Sequence, residues 1–128
     1  MSALVIDTST WIEYLAGRKP SKLVDQALLE SRVHLPAVVA AELLSGAMKP
    51  RVRAALEDLL HDLPLCICDL GHWFRVGHLR AALARKGLSV STPDAHVAQS
   101  AIDLDATLMG EDAIFGRIAK HSSLRIAD

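Results

Sequence analysis

The chain predicts an α/β fold with a short parallel sheet, and three observations lead there. Brief apolar runs alternate with amphipathic stretches along the whole sequence. The first run, Leu4-Val5-Ile6, has two β-branched residues out of three, as suits a strand buried on both faces. It delivers a carboxylate, Asp7, at its end and passes directly into a helix start, which is how an α/β sheet opens. Ligands of such sheets bind beyond the carboxyl ends of the strands, where Asp7 stands. Taken alone, Asp7 reads first as a helix N-cap, and only partners elsewhere in the chain would shift that.

The elements follow in order. A first helix runs from Thr8 to Leu15, and Gly17 is placed to end it in a left-handed conformation. Pro20-Ser21 starts a second, with Leu23, Val24, Ala27 and Leu28 on one face. Val33-His34-Leu35 suits a second strand, closed by Pro36. A helix over Ala37 to Met48 turns Val38, Ala41, Leu44 and Ala47 or Met48 to one side. The next, from about Arg51 to Asp62, sends Val52, Ala55, Leu56, Leu59 and Leu60 inward. Pro64 to Cys68 is a weaker strand candidate because proline leads it.

A long helix from about Leu70 to Lys86 carries Phe74, Leu79, Ala82 and Leu83 and stops at Gly87. Ser91-Thr92-Pro93-Asp94 is the clearest helix start: a hydroxyl cap, proline in the first turn and an acid where negative charge is favoured. Ala106 to Met109 forms a further buried strand, Glu111 to Lys120 a last helix, and Leu124 to Ile126 an edge strand. Strands alternating with helices imply a parallel sheet with helices on both faces.

Composition narrows the function. Apolar residues make up 51% of the 128 and charged residues 23%, a globular balance expected to form one domain. A net charge of -1 argues against holding nucleic acid by bulk electrostatics, though not against an enzyme that touches it briefly. No run approaches the ~18 apolar residues of a membrane span, and the start lacks a signal-peptide pattern. Cys66 and Cys68, two apart in an apolar run, read as reduced core thiols, which points to the cytoplasm.

Four acids stand out by position. Asp7 ends the first strand, Asp94 lies in a helix first turn and Asp112 follows the Ala106–Met109 strand, so all three fall on the carboxyl-end rim of a parallel sheet. Glu42 interrupts an otherwise apolar helix, where it either faces solvent or is aimed at something positive. Brought together, four carboxylates would resist ionising unless a cation neutralised them. Oxygen donors without His or Cys suit Mg²⁺ or Mn²⁺, ions that bind substrate phosphates and promote phosphodiester hydrolysis.

Four stretches, Ile6-Asp7-Thr8-Ser9, Ala41-Glu42-Leu43, Pro93-Asp94-Ala95-His96-Val97-Ala98 and Leu108-Met109-Gly110-Glu111-Asp112-Ala113-Ile114-Phe115, resemble the motifs of PIN-domain nucleases, and in size and layout the chain resembles VapC-type toxins of toxin–antitoxin pairs. The resemblance implies a three-layer PIN-like domain over the whole chain and an Mg²⁺-dependent endoribonuclease. It implies that Asp7, Glu42, Asp94 and Asp112 form the acidic pocket, with Asp7 and Asp94 the most direct ligands. It also implies a cognate antitoxin and a homodimer. Trp11, Leu15, Leu23 and Leu28 offer apolar surface of which part is expected to form the partner groove. The fourth motif departs from the pattern: Gly110 stands where many members have Ser or Thr, and Ile114 where they have a second acid. Asp112 is the aligned ligand, with Glu111 either joining it or facing solvent.

Other readings fit less well. The six histidines lack metal-ligand spacing and most read as surface or capping residues, His96 being the best placed for a role because it lies beside Asp94. Arg75, Arg80, Arg85 and Lys86 read as a solvated basic flank, with phosphate contact as the alternative. There is no nucleophile elbow and no phosphate-binding glycine loop. A non-catalytic metal-dependent adhesion domain would want a hydroxyl where Trp11 stands, and a signalling receiver domain would want paired acids near the start.

Overall fold

The computed structural model describes residues 2 to 127. The strands β1 (Leu4–Ile6), β2 (Val33–His34), β3 (Thr107–Met109) and β4 (Arg125–Ile126) form one sheet in the order β2-β1-β3-β4, every pair parallel. The helices are α1 (Thr8–Leu15), α2 (Lys22–Leu29), α3 (Ala37–Leu44), α4 (Pro50–His61), α5 (Leu70–Arg85), α6 (Thr92–Asp103) and α7 (Ala113–Lys120). After β1 the chain crosses to one side of the sheet, and after β2 it returns past β1 to the other. Right-handed crossovers therefore put α1 and α2 on one face and the helices around α6 on the opposite face. The reversal between β1 and β3 is where an open α/β sheet leaves a crevice.

Local chemistry explains the boundaries. Asp7, Ser21, Asp69, Ser91 and Asp112 cap the helices that follow them, each side chain accepting from a first-turn amide. Gly17 and Gly87 have φ of +75° and +81° just past α1 and α5, the conformation in which glycine costs least. The core is built from β1 (Leu4, Val5, Ile6), Trp11, Val33, Leu108, Phe115 and the nearly continuously buried stretch Ala95 to Ala101 of α6.

Several expectations change. The third helix ends at Leu44, not Met48, because the Arg53 guanidinium donates to the carbonyl of Leu44 and, at 3.0 Å, to that of Gly46, satisfying the helix end from outside. Its buried residues are Val39 and Leu43, while Ala41 is exposed; a helix apolar on nearly every face has no clear phase. Pro64 to Cys68 contributes a single bridge, Leu35 to Leu65, because the chain turns into α3 directly after Pro36. Phe74 is 60% exposed, and the inward stripe of α5 is His72, Val76, Leu79 and Leu83. Cys66 is buried, Cys68 is half-buried and both are free; burial pushes the Cys66 thiol up to about 12.

Candidate active site

β1 and β3 are neighbours, with Ile6 opposite Met109, and the Asp7 amide donates to the Met109 carbonyl at 3.1 Å. The residues leaving these strands therefore emerge side by side at the crevice. Asp7 is 5% exposed; its Oδ1 accepts from the Thr10 amide at 3.0 Å and its Oδ2 from the Ser9 hydroxyl at 3.3 Å. It is thus both the helix cap and a rim carboxylate, so the two readings open at the sequence level are compatible. Asp112 caps α7 in the same way, accepting from the Ile114 amide at 3.0 Å.

Asp94 lies in the first turn of α6, its amide donating to Ser91 Oγ at 3.2 Å. Three of the four acids thus stand at helix N-termini, where the positive end of the peptide dipoles favours a carboxylate. Glu42 comes from α3 and accepts from the Thr8 hydroxyl at 2.6 Å, which ties it to the residue after Asp7.

Asp94 feels the other three acids. Burial, then the charges of Asp112, Glu42 and Asp7, raise the Asp94 carboxyl above its usual range, against a lowering contribution from Ser91. Glu111 is drawn elsewhere, paired with Lys19 at 2.8 Å. Among the described residues no three acidic, histidine or cysteine side chains stand close enough to enclose an ion as placed, so the acids border an open rim rather than a cage. An all-oxygen rim of this kind fits a hard divalent cation, since Mg²⁺ is commonly held through one or two carboxylates and keeps several waters.

Gly110 has a steric reason to depart from the expected Ser or Thr. A Cβ there would meet Phe115 Cδ2 at 2.8 Å and lie 3.4 Å from Asp7 Cγ. The Phe115 ring fills the space a side chain would need.

Other residues near the site were not legible in the sequence, including Thr8 behind Glu42 and a buried pair of histidines. His72 and His96 are both fully buried, exceptions to the surface or capping role expected of most histidines, and burial followed by the neighbouring His72 pushes His96 down to about 4. The inward stripe of α5 is the signal that places His72 inside. The apolar surface expected of the first helices is present in part, with Leu15 and Leu23 exposed. Trp11 is fully buried core and Leu28 is half-buried, while a hollow of about 580 Å³ opens between α1, α3 and α4, lined by Ile12, Leu15, Leu43, Met48, Val52 and Leu59 among others. The apolar face predicted for α4 supplies part of it: Val52 is 53% exposed and only Leu60 is buried.

The profile of the PIN domain family matches residues 4–121. Over 131 aligned positions, 97% of this chain and 97% of each relative, the sequence is 34% identical to Ribonuclease VapC11 of Mycobacterium tuberculosis and to VapC ribonuclease Mb1587 of Mycobacterium bovis. Among solved structures, the chain is similar to one in the crystal structure of DNA-bound VapBC from Salmonella typhimurium, with a TM-score of 0.80 and 25% identity over 100% of this chain and 98% of that one. It is similar in fold to a chain of VapBC-1 from nontypeable Haemophilus influenzae, with a TM-score of 0.76 and 17% identity over 98% and 97% of the two.

Proposed function

The chain belongs to the PIN-domain family, and from that premise we propose that it is a divalent-metal-dependent endoribonuclease, the toxin of a toxin–antitoxin pair. The observation that supports the reading is the placement of the acids: Asp7 and Asp112 leave the neighbouring strands β1 and β3, Asp94 opens α6, and Glu42 is tied by the Thr8 hydroxyl to the residue after Asp7. Such a concentration of like charge is costly for folding and is useful to a bound cation.

Asp7 and Asp94 would hold the cation directly and Asp112 would complete the set. Glu42, fixed by Thr8, would orient the attacking water. When bound, Mg²⁺ or Mn²⁺ supplies positive charge against the phosphate and eases deprotonation of water. The helix N-termini that carry Asp7, Asp94 and Asp112 would add partial positive charge for a phosphate bound at the rim. The choice of RNA rests on the relatives' names.

The antitoxin would lay an apolar segment into the hollow between α1, α3 and α4, with an Arg or Lys reaching toward Asp7 and Asp94. Leu43, which follows Glu42 on α3, lines that hollow. A homodimer would cover Leu65, Ile67, Leu70 and Phe74, each at least 59% exposed. Among the described residues no helix is long and apolar enough to cross a membrane.

Labelled RNA incubated with the purified protein tests the reading. Internal cleavage with Mg²⁺, and none in a chelator, is the expected outcome. RNA left whole under both conditions overturns it and leaves a binding or signalling domain.

A further inference from the structure

A chain of hydrogen bonds runs from the surface of α5 and α6 to the first turn of α3, and the proposed chemistry makes no use of it. At one end the Asp103 carboxylate accepts from Arg75 at 2.8 and 3.0 Å and from Gln99 at 2.8 Å. Its Oδ2 also meets His72 Nδ1 at 2.8 Å, and His72 Nε2 meets His96 Nδ1 at 2.7 Å. At the other end the Val38 amide faces His96 Nε2 at 3.5 Å, the longest contact of the series. The Trp73 ring stacks on His96, with centroids 4.7 Å apart and planes 13° apart.

Both ends dictate the same direction. An amide can only donate, so His96 Nε2 accepts and its proton sits on Nδ1. That proton is given to His72 Nε2, so His72 carries its own on Nδ1 and gives it to Asp103. Starting instead from Asp103, an acceptor beside Arg75, leads to the same pair of tautomers.

α3 has a use for this link. Its N-cap is Pro36, which offers no side-chain acceptor, and the Val38 amide belongs to the first turn, which has no partner within the helix. His96 supplies the acceptor from another helix. Val38 and Glu42 are four residues apart on one face of α3, and Asp94 precedes His96 by two on α6. The link therefore joins the two helices that contribute Glu42 and Asp94, within about one turn of each along its helix.

We propose that His72 and His96 are positioning residues that clamp α3 onto α6 and so hold Glu42 in place relative to Asp94. This rests on reading the four carboxylates as one cation site. His96→Phe keeps a ring against Trp73 and removes both nitrogens; His72→Phe breaks the chain one link further out and serves if the first variant does not fold. Leu83→Ala, in the buried stripe of α5, lowers stability without touching the link. Mn²⁺ binding to each protein is measured by calorimetry, kcat and KM on RNA are measured separately, and ¹⁵N shifts of the parent's histidines report the tautomers.

The expected result is Nδ1–H on both rings, roughly tenfold weaker Mn²⁺ binding and reduced kcat in the folded Phe variants, with parental Mn²⁺ affinity in Leu83→Ala. A folded Phe variant that binds Mn²⁺ as the parent does overturns the proposal. Equal weakening in Leu83→Ala also overturns it, because any loss of stability would then suffice. A parent that binds no Mn²⁺ overturns the cation-site reading itself.

Discussion

α6 carries a polar cluster at each end, and the two are built on opposite principles. At its first turn the Asp94 carboxyl is raised, first by burial and then by the charges of Asp112, Glu42 and Asp7. At its last residue, Asp103 would be raised by burial, but hydrogen bonds from Arg75, His72 and Gln99 more than offset this and hold it low. The balanced cluster stabilises the fold. The unbalanced one opposes it, and a bound cation would relieve it, as the proposed site requires.

The contrast can be broken most severely at Asp7. Asp7→Asn should drop RNA cleavage to below roughly one hundredth of the parent, while the fold stands, because asparagine caps a helix as well as aspartate does. Asp103→Ala is the next largest: it strands the fully buried His72 and should cost about 2 kcal/mol in denaturant unfolding. Its pH signature has a definite sign. A carboxyl held low in the folded state adds stability above its unfolded pKa of about 3.9, and that stability is lost as pH falls through the folded value. The parent should therefore lose stability more steeply than Asp103→Asn in acid unfolding below about pH 4.

Asp7→Ala should lose about 1 kcal/mol with its cap, in addition to activity, which separates the two roles of that side chain. At the unbalanced end, Asp94→Asn should leave the metal-free protein more stable by about 0.5 kcal/mol, read from chemical denaturation in chelator. Smallest of all is Glu111→Ala. Its partner Lys19 is more than half exposed, so cleavage should stay within about twofold of the parent, whereas Asp112→Ala should fall well below that. The reverse ranking would make Glu111 the ligand.

Much of this was readable from residues alone. β1, the capped start of α6 and the stop of α5 at Gly87 follow from chemistry that is local in sequence. The acids on the rim were legible for the same reason: Asp7 and Asp112 follow strands, and Asp94 sits in a helix start. Glu42 needed the fold, because only the Thr8 hydroxyl shows which way it turns. The phase of α3 was lost because its face is set by neighbours rather than by periodicity. The exposed half of α4 reads as core in the sequence because an apolar stripe looks the same facing a groove. Gly110 makes sense only once Phe115 is seen against it. His72 and His96 were missed because each is one residue in its own helix, and the pair exists only where α5 meets α6.

The central claim is that the four carboxylates form one divalent-cation site. Melting temperature measured against Mg²⁺ or Mn²⁺ concentration, for the parent and for Asp7→Asn, Glu42→Gln, Asp94→Asn and Asp112→Asn, tests it most directly. The account predicts a saturable rise in the parent and a weaker one in every variant, with cleavage appearing over the same concentration range. A parent whose melting temperature ignores the cation while RNA is still cut in chelator would contradict it.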